Sequence, residues 1–440
     1  MRRNSTFHSG VHPDDAKELT AASPIRRLPF PDEVVLPLQQ HTGAPATLIV
    51  RVGDRVERGD MIAAAEGFIS SPVHASAAGR VAAIGPWPHP SGQYQTAVRI
   101  AVDRYAAQTP RRRLVPNWEG LSPKEIVAAV QQAGVVGLGG AAFPAHVKLS
   151  PPSDQVIDTL LVNGCECEPY LTSDHRVMVE YSERVYLGIR IMLDCLGIRR
   201  AIVGIEQNKP DAIATMTAAA PVDLDIEVCG LEAKYPQGAE KMLIKSLLDR
   251  EVPSGGLPGK VGVVVQNVGS VATLAEVFET GLPLIERIVT VTGPGVREPG
   301  NWIVPVGTKL RDLLAGSGGL ADDASEIIFG GPMMGVAVAS LDTPVLKGTS
   351  GVLVLSKGEA PPREDYPCIR CGRCLDACPV FLNPQRLGNL ATSERWPEML
   401  ENHLMDCMLC GCCSYVCPSN IPLSHLFTTA KTAIRRRPVA

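Results

Sequence analysis

Two stretches near the C-terminal end, CIRCGRCLDACP and CMLCGCCSYVCP, repeat one arrangement of thiols. The first holds Cys368, Cys371, Cys374 and Cys378 before Pro379, and the second holds Cys407, Cys410, Cys413 and Cys417 before Pro418. Thiolates are soft ligands, and C-x-x-C-x-x-C-x-x-x-C-P is a ligand spacing for [4Fe–4S] cubes. Three cysteines on a tight loop turn their sulfurs onto three corners of one cube, while the fourth, beyond the turn, points to the other cube. The runs therefore assign Cys368, Cys371, Cys374 and Cys417 to one cluster and Cys407, Cys410, Cys413 and Cys378 to a second. Four thiolates also suit Zn²⁺, but zinc motifs carry two separated C-x-x-C pairs rather than three cysteines and a C-P. Cys412, beside Cys413, reads as a spectator thiol, with a ligand swap as the alternative. Two one-electron centres side by side form a wire, and a wire needs a source and a sink.

Composition limits what the preceding residues can be. A chain of 440 residues suggests two to four domains at ~150 residues each. With 45% hydrophobic and 20% charged residues it has the balance of a soluble globular protein. A net charge of −4 gives no reason to expect nucleic acid as a partner. No stretch approaches the ~18 consecutive apolar residues of a membrane-spanning helix. The start, MRRNSTFHSG, has no apolar run behind its basic residues, so it is not read as a secretory signal. Thirteen cysteines in such a chain point to metal or redox chemistry rather than disulfides.

The elements that must position this chemistry fall into blocks. HTGAPATLIVRVGDRVERGDMIAAAEGFISSPVHASAAGRVAAIG alternates polar and apolar residues between Gly-Asp turns, as short strands do. It is similar to the barrel-sandwich fold of lipoyl and biotinyl carriers, which modify a lysine at a hairpin tip. No lysine lies between Glu66 and Val81, so this copy is expected to be a structural or docking module. PRRRLVPNW reads as a basic linker, with Arg111, Arg112 and Arg113 on a solvated face. Ser122-Pro123-Lys124-Glu125 then forms a capping box, and Ile126, Val127, Val130 and Ala133 follow at helical spacing up to Gly134. Beyond it strand-like DTLLVNG, AIVGIE, LDIEVCG and KVGVVVQN alternate with helical ERVYLGIRIMLDCLG, PDAIATMTAAA, GAEKMLIKSLLD and SVATLAEVFE, which predicts an α/β layer.

Two segments of this layer carry candidate ligands. GVVGLGGAAFP satisfies the dinucleotide-binding expression, but it follows a helix instead of a strand, so the Rossmann context is missing. Its glycines Gly137, Gly139 and Gly140 still let backbone approach a ligand and offer N–H groups for phosphate, with Lys148 downstream to add positive charge. NGCECEPYLTSDHR places an amide, two acids and two thiols directly after an apolar strand, where α/β sheets bind ligands. Asn163 suits a heterocycle, and Glu166 and Glu168 suit ribose or amide donors; Cys165 and Cys167 are too close in sequence to form a metal site alone, and the bland alternative for them is small buried residues.

GLGGAAFPAHVKL and NGCECEPYLTSDHR, with HPDDAKELT, LPLQQHTGAPA, KYPQGAEKMLI, QNVGSVATLAEV, VTVTGPGVREPGNWIVPVGT, GGPMMG and both cysteine runs, carry a resemblance over nearly the whole chain. The chain resembles the C subunit of the Rnf ion-translocating ferredoxin:NAD⁺ oxidoreductase complex, and its middle is similar to the flavin- and NADH-binding subunit of respiratory complex I. The resemblance implies a multidomain α+β fold. It expects a barrel-sandwich domain over 1–115, an FMN/NADH-binding α/β domain over 116–285, a β-grasp domain with connecting strands over 286–358, and a helical two-cluster domain over 359–440. It implies FMN and NAD(H) beside the two clusters. Gly137, Gly139, Gly140 and Lys148 would hold phosphate, Phe143 would lie on the nicotinamide path, Asn163 and Asn267 would approach the flavin ring, and Glu166 and Glu168 would face flavin and NADH. The implied role is redox-driven ion translocation on the cytoplasmic face of a bacterial inner membrane. The implied partners are the membrane-embedded A, D and E subunits, the D and G flavoproteins, the iron–sulfur B subunit and, indirectly, ferredoxin. No catalytic nucleophile or base is required. The alternative is a soluble flavin–iron–sulfur reductase such as a cobalamin reductase, a group that typically begins close to the GLGGA segment. Two positions depart from the family pattern. Cys165 replaces the usual alanine and is expected to bring a thiol near the flavin; Ala142 replaces glycine and is expected to fit only if its φ is negative.

Overall fold

The computed structural model describes residues 6–109, 113–360 and 364–436; Arg111 and Arg112 of the basic linker, and the first residues of the MRRNSTFHSG start, lie outside the described residues. The N-terminal lobe is a sandwich of two antiparallel sheets. One is ordered Glu33–Pro37, Tyr94–Val102, Gly79–Pro88, Arg55–Val56, and the other Thr47–Leu48, Met61–Ala64, Val73–His74. Alternation in the sequence becomes alternation in space: Val98 and Ile100 join Val34, Leu36, Ile62 and Val81 in the core, while Arg99 between them turns out to pair with Glu33 at 2.7 Å. Both Gly-Asp turns close alike, the Asp54 and Asp60 carboxylates each accepting at 2.8 Å from the backbone N–H three residues earlier.

The N-terminal strap does not belong to this sandwich. Val11 bridges Tyr235, and Ile25–Arg27 adds a parallel edge strand beside Gly300–Pro305. The expected 1–115 unit is therefore not self-contained, because its first residues are spent on other lobes.

The α/β lobe has four parallel strands in the order Asp225–Leu231, Arg200–Glu206, Thr159–Gly164, Val263–Asn267. Helices Ser182–Leu196 and Val268–Thr280 pack against each other over it, and a Cβ on Gly188 would lie 2.2 Å from the Val271 carbonyl oxygen. Glycine at that point lets the two backbones touch. Helix Pro123–Gln132 carries the capping box, Ser122 and Glu125 bonding each other's backbone. Helix Ser173–Glu180 has no signal in its own sequence. SDHRVMVE lacks a local side-chain cap, and its free N–H groups are met by a residue outside the helix.

A six-stranded mixed sheet follows, ordered Ile25–Arg27, Gly300–Pro305, Glu286–Thr292, Gly351–Ser356, Ala324–Phe329, Val336–Ala337. Lys347, just before its Gly351–Ser356 strand, is buried and donates from Nζ to Pro72 O and Gly134 O, both at 2.7 Å, tying three lobes together.

The last lobe is helical. Pro384–Thr392, Trp396–Glu401 and Leu423–Arg436 enclose a core of Leu387, Met399, Leu404 and Phe427. The repeated sequence is a repeated geometry. Arg370 and Leu409 take φ 58° and 59°, Gly372 and Gly411 both take φ 81°, and short helices Arg373–Asp376 and Cys412–Tyr415 follow.

Candidate cofactor crevice and thiol groups

Strand order creates the crevice. From Thr159–Gly164 the chain adds two strands on one side and then returns to add Val263–Asn267 on the other, so the carboxyl ends of these neighbours part at a topological switch point. Asn163 and Asn267 stand there in register. The glycine loop lies over them: a Cβ on Gly139 would approach Asn267 Cβ to 3.3 Å. Leu138 pins the loop, its N–H donating to Ser270 Oγ at 2.7 Å and its carbonyl accepting from Arg287 at 2.9 Å. Gly137 N–H donates to Phe143 O at 2.7 Å, while Gly139 and Gly140 are left exposed.

Each polar residue at the floor is held. Asn267 caps helix Val268–Thr280 by accepting from Ser270 N–H at 3.1 Å, and donates to Asp174 at 2.6 Å. Burial, then the nearby Glu166 carboxylate, push the Asp174 carboxyl up to about 7, against the pull of Arg287. Asn163 donates to Gly238 O at 2.7 Å and accepts from Cys165 N–H at 3.1 Å. Lys148 donates to Glu240 at 2.7 Å and Val265 O at 3.0 Å.

The two acids are engaged within the protein. Glu166 is the missing cap of helix Ser173–Glu180, accepting from Asp174 N–H at 2.8 Å, His175 N–H at 3.0 Å and Ser173 Oγ at 3.1 Å. Glu168 accepts from Met334 N–H at 2.8 Å and Met333 N–H at 3.1 Å, and burial lifts its carboxyl to about 7. Lys17, buried in the N-terminal strap, donates to the carbonyls of Glu166, Glu168 and Leu171. Two expectations change. The Cys165 thiol is fully buried, directed at Gly204 O and packed with Leu161, Ile202, Leu231 and Leu243, so it belongs to the core under the sheet. Ala142 sits at φ 47°, the left-handed region its side chain was expected to avoid.

Of the thiols, Cys374 feels the charges of Cys368, Cys371 and Cys417. Cys378 leaves its own run for Cys407, Cys410 and Cys413, and these four line one hollow with Leu409 and Phe427. In both runs the first sulfur accepts from the N–H two residues on, Arg370 to Cys368 and Leu409 to Cys407, each at 3.4 Å. Among the described residues no three His, Cys, Asp or Glu side chains converge on a single-ion site. Thiols in two C-x-x-C-x-x-C-x-x-x-C-P runs suit four-iron cubes better than tetrahedral zinc, whose motifs carry two separated C-x-x-C pairs. The two groups differ in depth: Cys368 and Cys371 are exposed, whereas Cys378, Cys410 and Cys413 are buried.

The buried group touches the crevice lobe. Tyr235 Oη donates to Cys410 O at 2.8 Å, and Tyr235, Cys410 and Cys412 share an apolar cluster with Met333 and Cys167. A Cβ on Gly411 would lie 2.7 Å from Met333 O, and one on Gly331 would lie 2.3 Å from Glu168 Oε2. Thus GGPMMG is a spacer squeezed between the crevice acid and the cysteine loop. Sequence reasoning did not select Tyr235, Met333, Asp174 or Lys17; its one available signal was the glycines flanking the methionines.

Comparison with known proteins agrees with this architecture. Four families match in order: an RnfC barrel sandwich hybrid domain over residues 5–105, a Nuo51 FMN-binding domain over 130–276, an SLBB domain over 288–337 and a 4Fe-4S dicluster domain over 364–421. The chain is 46% identical to the C subunit of the proton-translocating ferredoxin:NAD⁺ oxidoreductase complex of Clostridium ljungdahlii, covering 90% of this chain and 87% of that one. It is 41% identical to the Na⁺-translocating counterpart of Acetobacterium woodii, covering 92% and 91%. With the C subunit of the ion-translocating oxidoreductase complex of Rhodobacter capsulatus it shares 40% identity over 98% and 84%. The chain belongs to this family of C subunits. Among solved structures, an NAD⁺-reducing [NiFe]-hydrogenase superposes with a TM-score of 0.50 at 20% identity, over 72% of this chain and 61% of that one, a likeness of fold. The residues present fit the groups these families name. Bare glycine backbone and two amides at the switch point suit a flavin mononucleotide, and two sets of four thiols suit two cubes.

Proposed function

We propose that this chain is the peripheral subunit through which an ion-translocating ferredoxin:NAD⁺ oxidoreductase complex exchanges electrons with NAD(H) at the cytoplasmic face of the membrane. The observation that carries this reading is the junction at Tyr235, where the crevice lobe packs directly on the buried thiol group. Bound FMN supplies hydride acceptance with one-electron release, and the two cubes supply one-electron storage. Gly139 and Gly140 hold the phosphate end through backbone N–H groups, with Lys148 near it, while Gly137, its N–H taken by Phe143 O, shapes the turn, and Asn163 and Asn267 orient the ring. Phe143 and Glu168 border the nicotinamide, and Glu166 keeps helix Ser173–Glu180 in place behind them. Tyr235, Met333 and Cys167 fill the space between crevice and buried thiols with apolar contacts, which keeps water out of the route. Cys407, Cys410, Cys413 and Cys378 thus hold the inner cube, and Cys368, Cys371, Cys374 and Cys417 the outer one, where exposed thiols let a redox partner approach. That partner is another component of the complex. No helix among the described residues is long and apolar enough to cross a membrane; the proposed attachment is through those other components.

An anaerobic NADH titration of the reconstituted protein tests this, with flavin absorbance and low-temperature EPR read together. Flavin bleaching followed by a cluster signal is expected. Reduction of both cofactors by dithionite but of neither by NADH would remove the nicotinamide assignment.

A further inference from the structure

The barrel-sandwich lobe carries no lysine at its tip, yet that tip is docked beside the glycine loop. Thr42 donates from Oγ1 to Ala141 O at 2.8 Å and from its backbone N–H to Ala142 O at 3.2 Å. The turn bearing Thr42 is itself braced. Ala44 N–H donates to Ile69 O at 3.0 Å, Ser70 Oγ donates to Ala44 O at 2.9 Å, and a Cβ on Gly43 would collide with Ile69 O at 2.1 Å. The other side of the tip is fixed by a 2.7 Å hydrogen bond between His146 Nε2 and Phe68 O, just past the loop.

These contacts fall where the loop needs them. Ala142 takes φ 47°, which an alanine adopts only when held, and its methyl group has room because the facing residue is Gly348, whose added Cβ would come within 3.0 Å of it. In a trans peptide C=O and N–H point opposite ways. Tying the Ala141 and Ala142 carbonyls toward the barrel lobe therefore turns the N–H groups of Ala142 and Phe143 away from it.

We infer that Thr42 is a positioning residue for the glycine loop: the docked tip clamps Ala142 in its left-handed conformation and so presets the backbone that receives the flavin phosphate. This rests on the flavin reading above. The lobe that in carrier domains delivers a prosthetic group here fixes the receptor for one.

The test is FMN titration of the flavin-free protein, read by quenching of flavin fluorescence, in wild type, T42V, T42S, A142G and the T42V/A142G double variant. Losing one hydroxyl donor should weaken FMN binding about fivefold in T42V, while T42S keeps the donor and matches wild type. Glycine adopts φ 47° unaided, so the double variant should recover to within about twofold of A142G. Wild-type affinity in T42V, or a double variant as weak relative to A142G as T42V is to wild type, overturns the clamp. Hydrogen–deuterium exchange across 137–145 in the flavin-free protein separates this from the parent reading. Exchange should quicken several-fold in T42V and stay unchanged in T42S. A wild-type protein that takes no FMN but shows this pattern sustains the clamp and sinks the flavin assignment; unchanged exchange in T42V sinks the clamp.

Discussion

The crevice lobe and the thiol lobe meet at Tyr235 but are held together in opposite ways. The crevice stands on a fully buried core that includes Leu160, Val162, Ile189, Val203 and Phe278, and its polar floor is fastened by bonds within the protein. Its shape is set before a ligand arrives. The thiol lobe has a small core, and its ligands crowd like groups together. Burial, with Cys410 and Cys378 nearby, pushes the Cys407 thiol up to about 11, so its thiolate is disfavoured until a cation arrives. In the proposed reading bound iron would supply that charge, which would make the cofactor part of this lobe's stability. One lobe is a finished receptor; the other is completed by what it holds.

Stripping iron is the strongest way to break this contrast. Anaerobic chelation should raise limited-proteolysis rates within 364–436 by more than about tenfold and leave 123–280 unchanged. Equal loss in both lobes would show that neither is preformed. A second test uses the depth of the two thiol groups. Cys410→Ser should cut NADH-driven cluster reduction by about 100-fold while FMN still binds, whereas Cys371→Ser should leave reduction of the inner cube intact by EPR. Reversed phenotypes would put the outer group nearer the crevice.

The smaller effects concern the crevice acids. Glu166→Ala removes three acceptor contacts at a helix start and should cost about 2 kcal/mol in chemical denaturation. Glu168 gives the pH-dependent case. Its folded carboxyl lies at about 7 against an ordinary 4.5, so between those values the folded chain keeps a proton that the unfolded chain releases. Its contribution is therefore full below pH ~4.5 and is lost as pH rises through ~7. Glu168→Gln should flatten that decline by on the order of 2 kcal/mol, measured as the wild-type-minus-variant difference at pH 5 and pH 8. A difference that does not vary with pH would place the carboxyl in water.

The same contrast governs what a reader of the sequence can find. Thiol chemistry is carried by side chains at fixed local spacing, so the two runs declare their loops, and the φ values of Gly372 and Gly411 repeat as their sequence does. The α/β alternation was legible too, because Val203 and Val264 lie in strands buried on both faces and the Ser182–Leu196 helix carries a clear apolar stripe. The crevice was legible only in outline. Glu166 and Glu168 look like ligands in NGCECEP, yet Glu166 caps a helix seven residues on and Glu168 binds backbone 165 residues away. Lys17 satisfies carbonyls about as distant, at separations of 149 to 154 residues. Such partners are chosen by topology, and no local pattern announces them. Ile25–Arg27 illustrates this in the backbone, a short strand whose neighbour is Gly300–Pro305.

Lys347 sets an order of events. Its acceptors Pro72 O and Gly134 O precede it by 275 and 213 residues, so on the ribosome both lobes emerge long before the lysine that joins them. Until residue 347 is made, those carbonyls lack this donor and stay hydrated. Closing loops of that length costs only slowly more entropy than closing shorter ones, so a late lock is thermodynamically tolerable. Its consequence is kinetic: a nascent chain halted before Lys347 has only contacts such as those of Thr42 and Phe68 to join the barrel and crevice lobes, with the Pro72 and Gly134 carbonyls still in water.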